Sequence, residues 1–190
     1  MKFTNVNHCK KTHFTVTEPG RHIYYLHNFS GYVTVDIATK GAEVYIFGLY
    51  DGRNANEFNL HTTQHHMVGE STSDLFIKGV FDDQSKFLYE GLIHIDKGAQ
   101  KSNAYQKNQN LITSDGVYVD SRPFLEIEAN DVRCTHGSTT GKLDAEQLFY
   151  AEARGIDIIQ AKEMLIEGFK QDLLNKMSDL GVDLSATQNI

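Results

Sequence analysis

Short stretches of alternating apolar and polar residues, separated by one or two strand-breaking residues, follow one another from about Thr12 to Glu128. They are rich in β-branched and aromatic side chains, and alternation with a period of two is typical of a strand with one buried face. Gly31 and Asp115-Gly116 are among the breaks. The stretches read HIYYLHNFSGYVTVDIA, AEVYIFGLYD, NEFNLHTTQHHMV, SDLFIKGVF, KFLYEGLIHID and PFLEIEAND. This pattern predicts an all-β body.

Two all-β architectures remain open on this pattern. A sandwich joins antiparallel strands through tight turns, and Asp51-Gly52 and Asp115-Gly116 could form such turns. A solenoid, in which each coil packs on the next, also suits short strands with isolated polar breaks. The breaks are too irregular to choose between the two.

The pattern becomes helical from Lys142 onward, so we predict a β body over residues 1–141 and a helical domain over residues 142–190. Asp144, three residues before Gln147, predicts the N-cap of a first helix, and Gly155 suits the position just after its end.

A second helix is predicted to begin after Asp157, which stands three residues before Gln160, and to run to about Leu180. Gly181 is expected to stop it, and the residues beyond are expected to fray. One face of this helix carries apolar residues three or four positions apart, as in an amphipathic helix that covers another surface. They are Ala161, Met164, Leu165, Phe169, Leu173, Met177 and Leu180.

Charge and cysteine content limit the class of protein. The 190 residues carry a formal net charge of −7, which disfavours nucleic acid and anionic membranes as partners. Two cysteines, Cys9 and Cys134, do not make the disulfide framework of a secreted domain, so a reducing cytoplasm is expected. The start of the chain lacks an apolar signal segment, and no stretch is long enough to span a membrane.

Cys134 and His136 are the first candidate metal ligands. They stand two positions apart, so both side chains leave the same face of an extended strand. Sulfur and imidazole together suit zinc or iron. One pair cannot complete a four-ligand site, however, and taken alone it more often means a buried thiol beside a hydrogen-bonded histidine. Ligands from a second subunit or from distant residues would be required.

His61, His65 and His66 form a second group of imidazoles. His61 and His65 are expected to share one face of a strand, with His66 on the other face. No zincin spacing accompanies them, so we interpret them as half-exposed strand histidines. The chain also lacks a GxSxG elbow and a Walker lysine loop, which leaves no motif for hydrolysing an ester or a nucleotide.

The stretch from Gly98 to Ile156 carries a close resemblance to a known family. It reads GAQKSNAYQKNQNLITSDGVYVDSRPFLEIEANDVRCTHGSTTGKLDAEQLFYAEARGI and is followed by AKEMLIEGF. It resembles the C-terminal part of the SufB/SufD family of iron–sulfur cluster assembly proteins. The preceding NLHTTQHHMVGESTSDLFIKGVFDDQSKFLYEGLI follows the same family pattern, so the resemblance covers roughly the last two-thirds of the chain. It implies a right-handed parallel β-helix followed by a small C-terminal α-helical domain.

The resemblance also implies a role, that of a SufD-like scaffold subunit rather than an enzyme. Such a subunit pairs through its β-helix with a SufB-type subunit or a second copy of itself. Its C-terminal helices dock a SufC-type ATPase, and Tyr150, Arg154 and Gly155 are the candidates for that contact. The iron–sulfur cluster is then transient and shared with a partner, and none is expected on the isolated chain.

At single positions the chain looks nearer to SufD than to SufB. His136 matches the histidine that SufD contributes at the subunit interface. Asn108 stands where SufB carries a cysteine, and Gly137 and Ala151 also depart from the SufB pattern. Clusters are held mainly by thiolates, so His136 with Cys134 is half a ligand shell, and a partner must supply the rest.

Two other functions remain open. The chain starts later than SufB and SufD do, which leaves a docking subunit without a metal role, as a homodimer or within the same complex. An enzyme that cleaves carbohydrate on a β-helix rests on architecture alone.

Overall fold

The computed structural model of this protein describes residues 1–187 and shows a parallel β-helix followed by two α-helices. In this part of the chain the strands are, in order, β1 (Lys2–Asn5), β2 (His13–Val16), β3 (Gly20–His27), β4 (Gly31–Ile37), β5 (Ala42–Gly52), β6 (Glu57–His66), β7 (Thr72–Phe81), β8 (Lys86–Ile95), β9 (Asn103–Ile112), β10 (Tyr118–Ile127) and β11 (Arg133–Lys142). The odd-numbered strands form one sheet and the even-numbered strands form the other. All their ladders are parallel.

The predicted β-helix is confirmed, and the sandwich alternative is wrong. Each strand crosses to the other sheet before the chain returns, so Glu43 pairs with Thr72, which stands 29 residues further on. Asp51 and Gly52 lie inside β5 rather than in a hairpin turn. The parallel ladders of residues 1–187 leave no place for the antiparallel hairpins that a sandwich needs.

The interior of the β-helix is aromatic and aliphatic in its middle coils. Phe87 is fully buried, and its ring lies 5.1 Å from that of Phe81 and 4.7 Å from that of Tyr50. A Cβ atom on Gly52 or on Gly79 would meet the ring of Phe81, so these glycines make the room that this ring fills. The stacked rings hold the two sheets together between successive coils.

Both predicted helix caps are confirmed. Asp144 accepts hydrogen bonds from the backbone at the start of α1 (Ala145–Glu152), and Asp157 does so at the start of α2 (Ile158–Asp179). Gly155 and Gly181 follow the two helices with positive φ angles of 85° and 88°, which glycine adopts without strain.

The C-terminal half of α2 packs on the outer face of the odd-numbered sheet. Leu173 and Met177 are fully buried there in a cluster with Phe47 and Phe76. Met164, in the first half of the same helix, is exposed, so the predicted apolar stripe is covered only over its second half. Val182 is buried in the same cluster, so the expected fraying directly after Gly181 is wrong.

Lys78 fixes α2 to the sheet. Its side chain is buried, lies 2.8 Å from the Asp172 carboxylate, and donates to the backbone oxygen of Phe169 at 2.7 Å. Burial outweighs this ion pair and lowers the pKa of Lys78. A second ion pair, at 2.5 Å, joins Lys170 to Asp51. These polar contacts set the position of the helix along the sheet.

The strands give way to helices between Lys142 and Ala145. The division into two domains at residue 141 stays a prediction. Within residues 1–187 no helix is both long and apolar enough to cross a membrane.

Candidate functional site

The last coil of the β-helix is open. β11 pairs with β9 and β10 pairs with β8, and each is the terminal strand of its sheet within residues 1–187. Most side chains of these two ten-residue strands are exposed, whereas the preceding strands bury every second residue. An unpaired strand edge offers backbone N–H and C=O groups to another strand. This end of the molecule is therefore suited to pairing.

Cys134 and His136 lie on β11 at this open end, on the face that points into the solenoid. They pair in register with Ala104 and Gln106 of β9, both of which are buried. The two side chains thus share one face, as the sequence predicted. Cys134 is half-buried, and this burial raises the pKa of its thiol, whereas His136 is exposed.

The interior beneath this end is polar, unlike the middle coils. Asn108 donates to the Ser121 hydroxyl at 3.0 Å, and Gln106 donates to the backbone oxygen of Gly91 at 3.2 Å. Sequence reasoning identified Asn108 only by resemblance and missed the rest of this group. The signal was the run QKNQN, whose alternate residues are polar yet point inward. The buried amide side chains at this end are Gln64, Gln106, Asn108 and Asn110.

Two ligands at the open end do not make a closed metal site. In the described part of the chain, the group of three close metal-ligating side chains includes neither Cys134 nor His136. Four ligands is the usual number for an iron–sulfur cluster or a structural zinc. The arrangement therefore fits one half of a site that is completed across an interface, which is the form that cargo held between two chains would take.

The helical part exposes a separate surface. Arg154 donates to the Tyr150 hydroxyl at 2.7 Å, and its guanidinium carbon lies 4.7 Å from the centre of the Tyr150 ring. A shallow groove beside this pair is lined by residues of both helices, among them Met164 and Leu165. Several large apolar side chains of α1 and the first half of α2 are exposed. They are Phe149, Tyr150, Ile158, Ile159 and Met164.

Comparison with known proteins gives a family for this combination of features. Residues 6–169 match the family model described as SUF system FeS cluster assembly, SufBD core domain. The chain belongs to the SufBD family. The matched range contains the open end of the β-helix, α1 and the first half of α2.

Relatives of this SufBD chain include iron–sulfur cluster assembly proteins from several bacteria. It is 36% identical over 117 residues to SufD of Escherichia coli, which covers 62% of the chain and 28% of the relative. It is 33% identical to SufD of Bacillus subtilis, covering 64% of the chain and 28% of the relative. A SufBD family protein of Mycobacterium leprae is 30% identical over 87% of the chain and 43% of its own length. The chain thus spans less than half the length of each of these relatives.

Membership in the SufBD family supports a role in iron–sulfur cluster assembly. The ligand role of His136 and Cys134, and the docking role of Tyr150, Arg154 and Gly155, stay predictions.

The histidine group lies as the sequence predicted. His66 points inward, is fully buried, and is hydrogen-bonded to the hydroxyls of Ser71 and Ser73, each at 2.8 Å. Burial lowers the pKa of His66 to about 4, so its ring is neutral near pH 7. His61 and His65 point outward and are partly exposed.

Proposed function

We propose that this SufBD chain is a SufD-like scaffold subunit of a cytoplasmic iron–sulfur cluster assembly complex. In this proposal the open last coil pairs with the β-helix of a SufB-type subunit or of a second copy. His136, with Cys134 beside it, faces the partner's ligands across that interface, and the cluster is held there before it is passed on. The exposed surface of α1 and α2 docks a SufC-type ATPase.

One observation carries this proposal. The two candidate ligands share the inward face of an edge strand at the open end of the solenoid. A neutral imidazole nitrogen is a ready metal ligand. The Cys134 thiol must lose its proton to ligate, and its raised pKa makes this harder until a metal is present. We therefore assign the leading role to His136 and a supporting role to Cys134.

The division of α2 into two halves supports the docking part of the proposal. Its C-terminal half is buried on the sheet, while α1 and the first half of α2 expose large apolar side chains. The side chains of Phe149 and Ile159 are 72% and 67% exposed. Contiguous exposed apolar side chains mark interaction surfaces in soluble proteins.

Replacing His136 by alanine is expected to abolish cluster formation while leaving the complex assembled. The chain is co-expressed with its SufB-type and SufC-type counterparts, purified without oxygen, and analysed for iron content and visible absorption. Thr135→Ala is the matched control, because Thr135 neighbours His136 on β11 but faces the opposite side. Normal iron in the His136→Ala complex would remove this residue from the cluster site.

That result would favour the second candidate function, a docking subunit without a metal role. In that case the complex forms and binds the ATPase, but its iron does not depend on His136 or Cys134. The exposed apolar surface of the helices favours this alternative independently of any metal.

Replacing Tyr150 by alanine is expected to weaken binding of the SufC-type ATPase at least about tenfold. Large aromatic side chains near the centre of an interface commonly contribute 2 kcal/mol or more to binding. Binding is measured by calorimetry with the purified ATPase. Gln171→Ala is the control, since Gln171 is exposed on the half of α2 that packs on the sheet. Equal affinity of the Tyr150 variant and the wild type would place the docking surface elsewhere.

A further inference from the structure

Two stacked histidines and a carboxylate lie together on the outer face of the even-numbered sheet. His65 of β6 pairs in register with His94 of β8, and their rings stack with centroids 4.5 Å apart and planes 6° apart. Asp96 follows β8 and turns to the same side. Its Oδ1 atom lies 3.0 Å from His65 Nε2 and 3.6 Å from His94 Nε2. One ligand atom from each residue lies within 4.8 Å of the others.

A second carboxylate holds one of the rings from behind. Asp36 of β4 is the register partner of His65, and its Oδ1 lies 3.0 Å from His65 Nδ1. His13 in turn contacts the other oxygen of Asp36 at 2.6 Å. A carboxylate on one nitrogen of a histidine, with a metal on the other, is the usual second shell of a metal-binding imidazole. Asp36 is placed to direct His65 Nε2 toward Asp96.

We propose that His65, His94 and Asp96 form a binding site for a divalent transition cation of the zinc or ferrous iron class. Glu128 is available as a fourth ligand, because its Oε1 lies 3.9 Å from His94 Nε2. Two imidazoles with one or two carboxylates suit these cations, whereas magnesium and calcium take oxygen ligands only.

Small side-chain rotations complete the coordination. Tetrahedral zinc with bonds of about 2.0 Å places its ligand atoms roughly 3.3 Å apart, so the three donors must draw together by about 1 Å. The side chains of His65, His94 and Asp96 are 22%, 28% and 38% exposed, so they have room to rotate and are open to an arriving ion. The cation takes the place of the proton on His65 Nε2, which is the normal exchange at a histidine ligand.

This site is separate from the proposed cluster site. Its ligands come from the even-numbered sheet and the segments beside it, whereas His136 and Cys134 lie on β11 of the other sheet. The two sites share no residue, so the outcome of one test does not decide the other.

The test is titration of the metal-free chain with Zn²⁺ by calorimetry, followed by Co²⁺ as a spectroscopic probe, with the cysteines kept reduced. We expect one bound equivalent in the wild type and at least a tenfold loss of affinity in His94→Ala. His61→Ala is the matched control and is expected to bind normally. Its ring lies on the same face, 3.2 Å from the Glu90 carboxylate, but it does not belong to the three-ligand group. Asp96→Asn, which keeps the side-chain shape, repeats the test should His94→Ala fail to fold.

Three results would overturn the proposal. The first is equal Zn²⁺ affinity in the wild type and in both ligand variants, with folding confirmed by circular dichroism in EDTA. The second is equal loss of affinity in His61→Ala. The third is a near-ultraviolet charge-transfer band with Co²⁺, which would place the ion on a cysteine thiolate instead.

Discussion

Replacing Ser138 by proline is expected to leave the isolated chain folded and to abolish pairing through β11. The backbone N–H of Arg133 donates to Ser102, which precedes β9, at 3.0 Å. Successive residues of a strand point their N–H groups to alternate sides. Ser138 stands an odd number of residues after Arg133, so its N–H faces the free edge rather than β9. A proline there removes a donor that only a partner strand would use.

The chain already contains a natural precedent for this substitution. The N–H of Tyr118 donates to Ser85, beside β8, at 3.0 Å, so Pro123 occupies an outward-facing position of β10. The strand accommodates this proline without losing a bond to β8. Pro123 also leaves a gap in the donors along the free edge of β10, whereas β11 contains no proline. We therefore expect β11 to be the principal pairing edge.

The loss is measured with the β-helix partner, which is a SufB-type subunit or a second copy. A proline inside a sheet costs about 3 kcal/mol or more, which corresponds to at least a hundredfold weaker pairing. Thr139→Pro is the matched control, because its N–H faces β9, so this proline is expected to disrupt the last coil itself. A Ser138→Pro chain that pairs as tightly as the wild type would show that the interface lies away from β11.

Replacing Phe87 by alanine is expected to lower the free energy of unfolding by about 3–5 kcal/mol, the usual loss for a buried phenylalanine. Its ring is fully buried and packs against Phe81, Tyr50 and Tyr89. The neighbouring coils continue on both sides, so the solenoid cannot collapse into the space that the ring leaves.

Urea unfolding of the isolated chain, followed by circular dichroism, measures this loss. Phe149→Ala is the control, because its exposed ring contributes to the fold by less than about 0.5 kcal/mol. A change below about 1 kcal/mol for Phe87→Ala would mean that the aromatic interior can repack.

Local features of the chain could be predicted from the sequence, and pairings between coils could not. Asp144, Asp157 and Gly155 identify helix ends because a cap depends on residues a few positions away. The choice between a sandwich and a solenoid depends on which strands pair, and Glu43 pairs with a residue 29 positions away. No local pattern encodes that choice, so only the family resemblance identified the β-helix.

The cluster of His65, His94 and Asp96 escaped sequence reasoning for the same reason. Asp36, His65 and His94 are separated by 29 residues in each step, and the register of three neighbouring strands stacks them. Judged by its neighbours in sequence, His65 is an ordinary strand histidine. The length of one coil is the missing information, and once it is known the spacing becomes a signal that can be searched for directly.

The free edge of β11 sets a limit on how many copies can join. A strand that pairs with the same strand of a second copy does so around a twofold axis, so the two chains run antiparallel across the join although all ladders within each copy are parallel. Each copy contributes the same edge, and none of that edge remains for a third. Association through β11 therefore closes at two chains and does not grow into a filament.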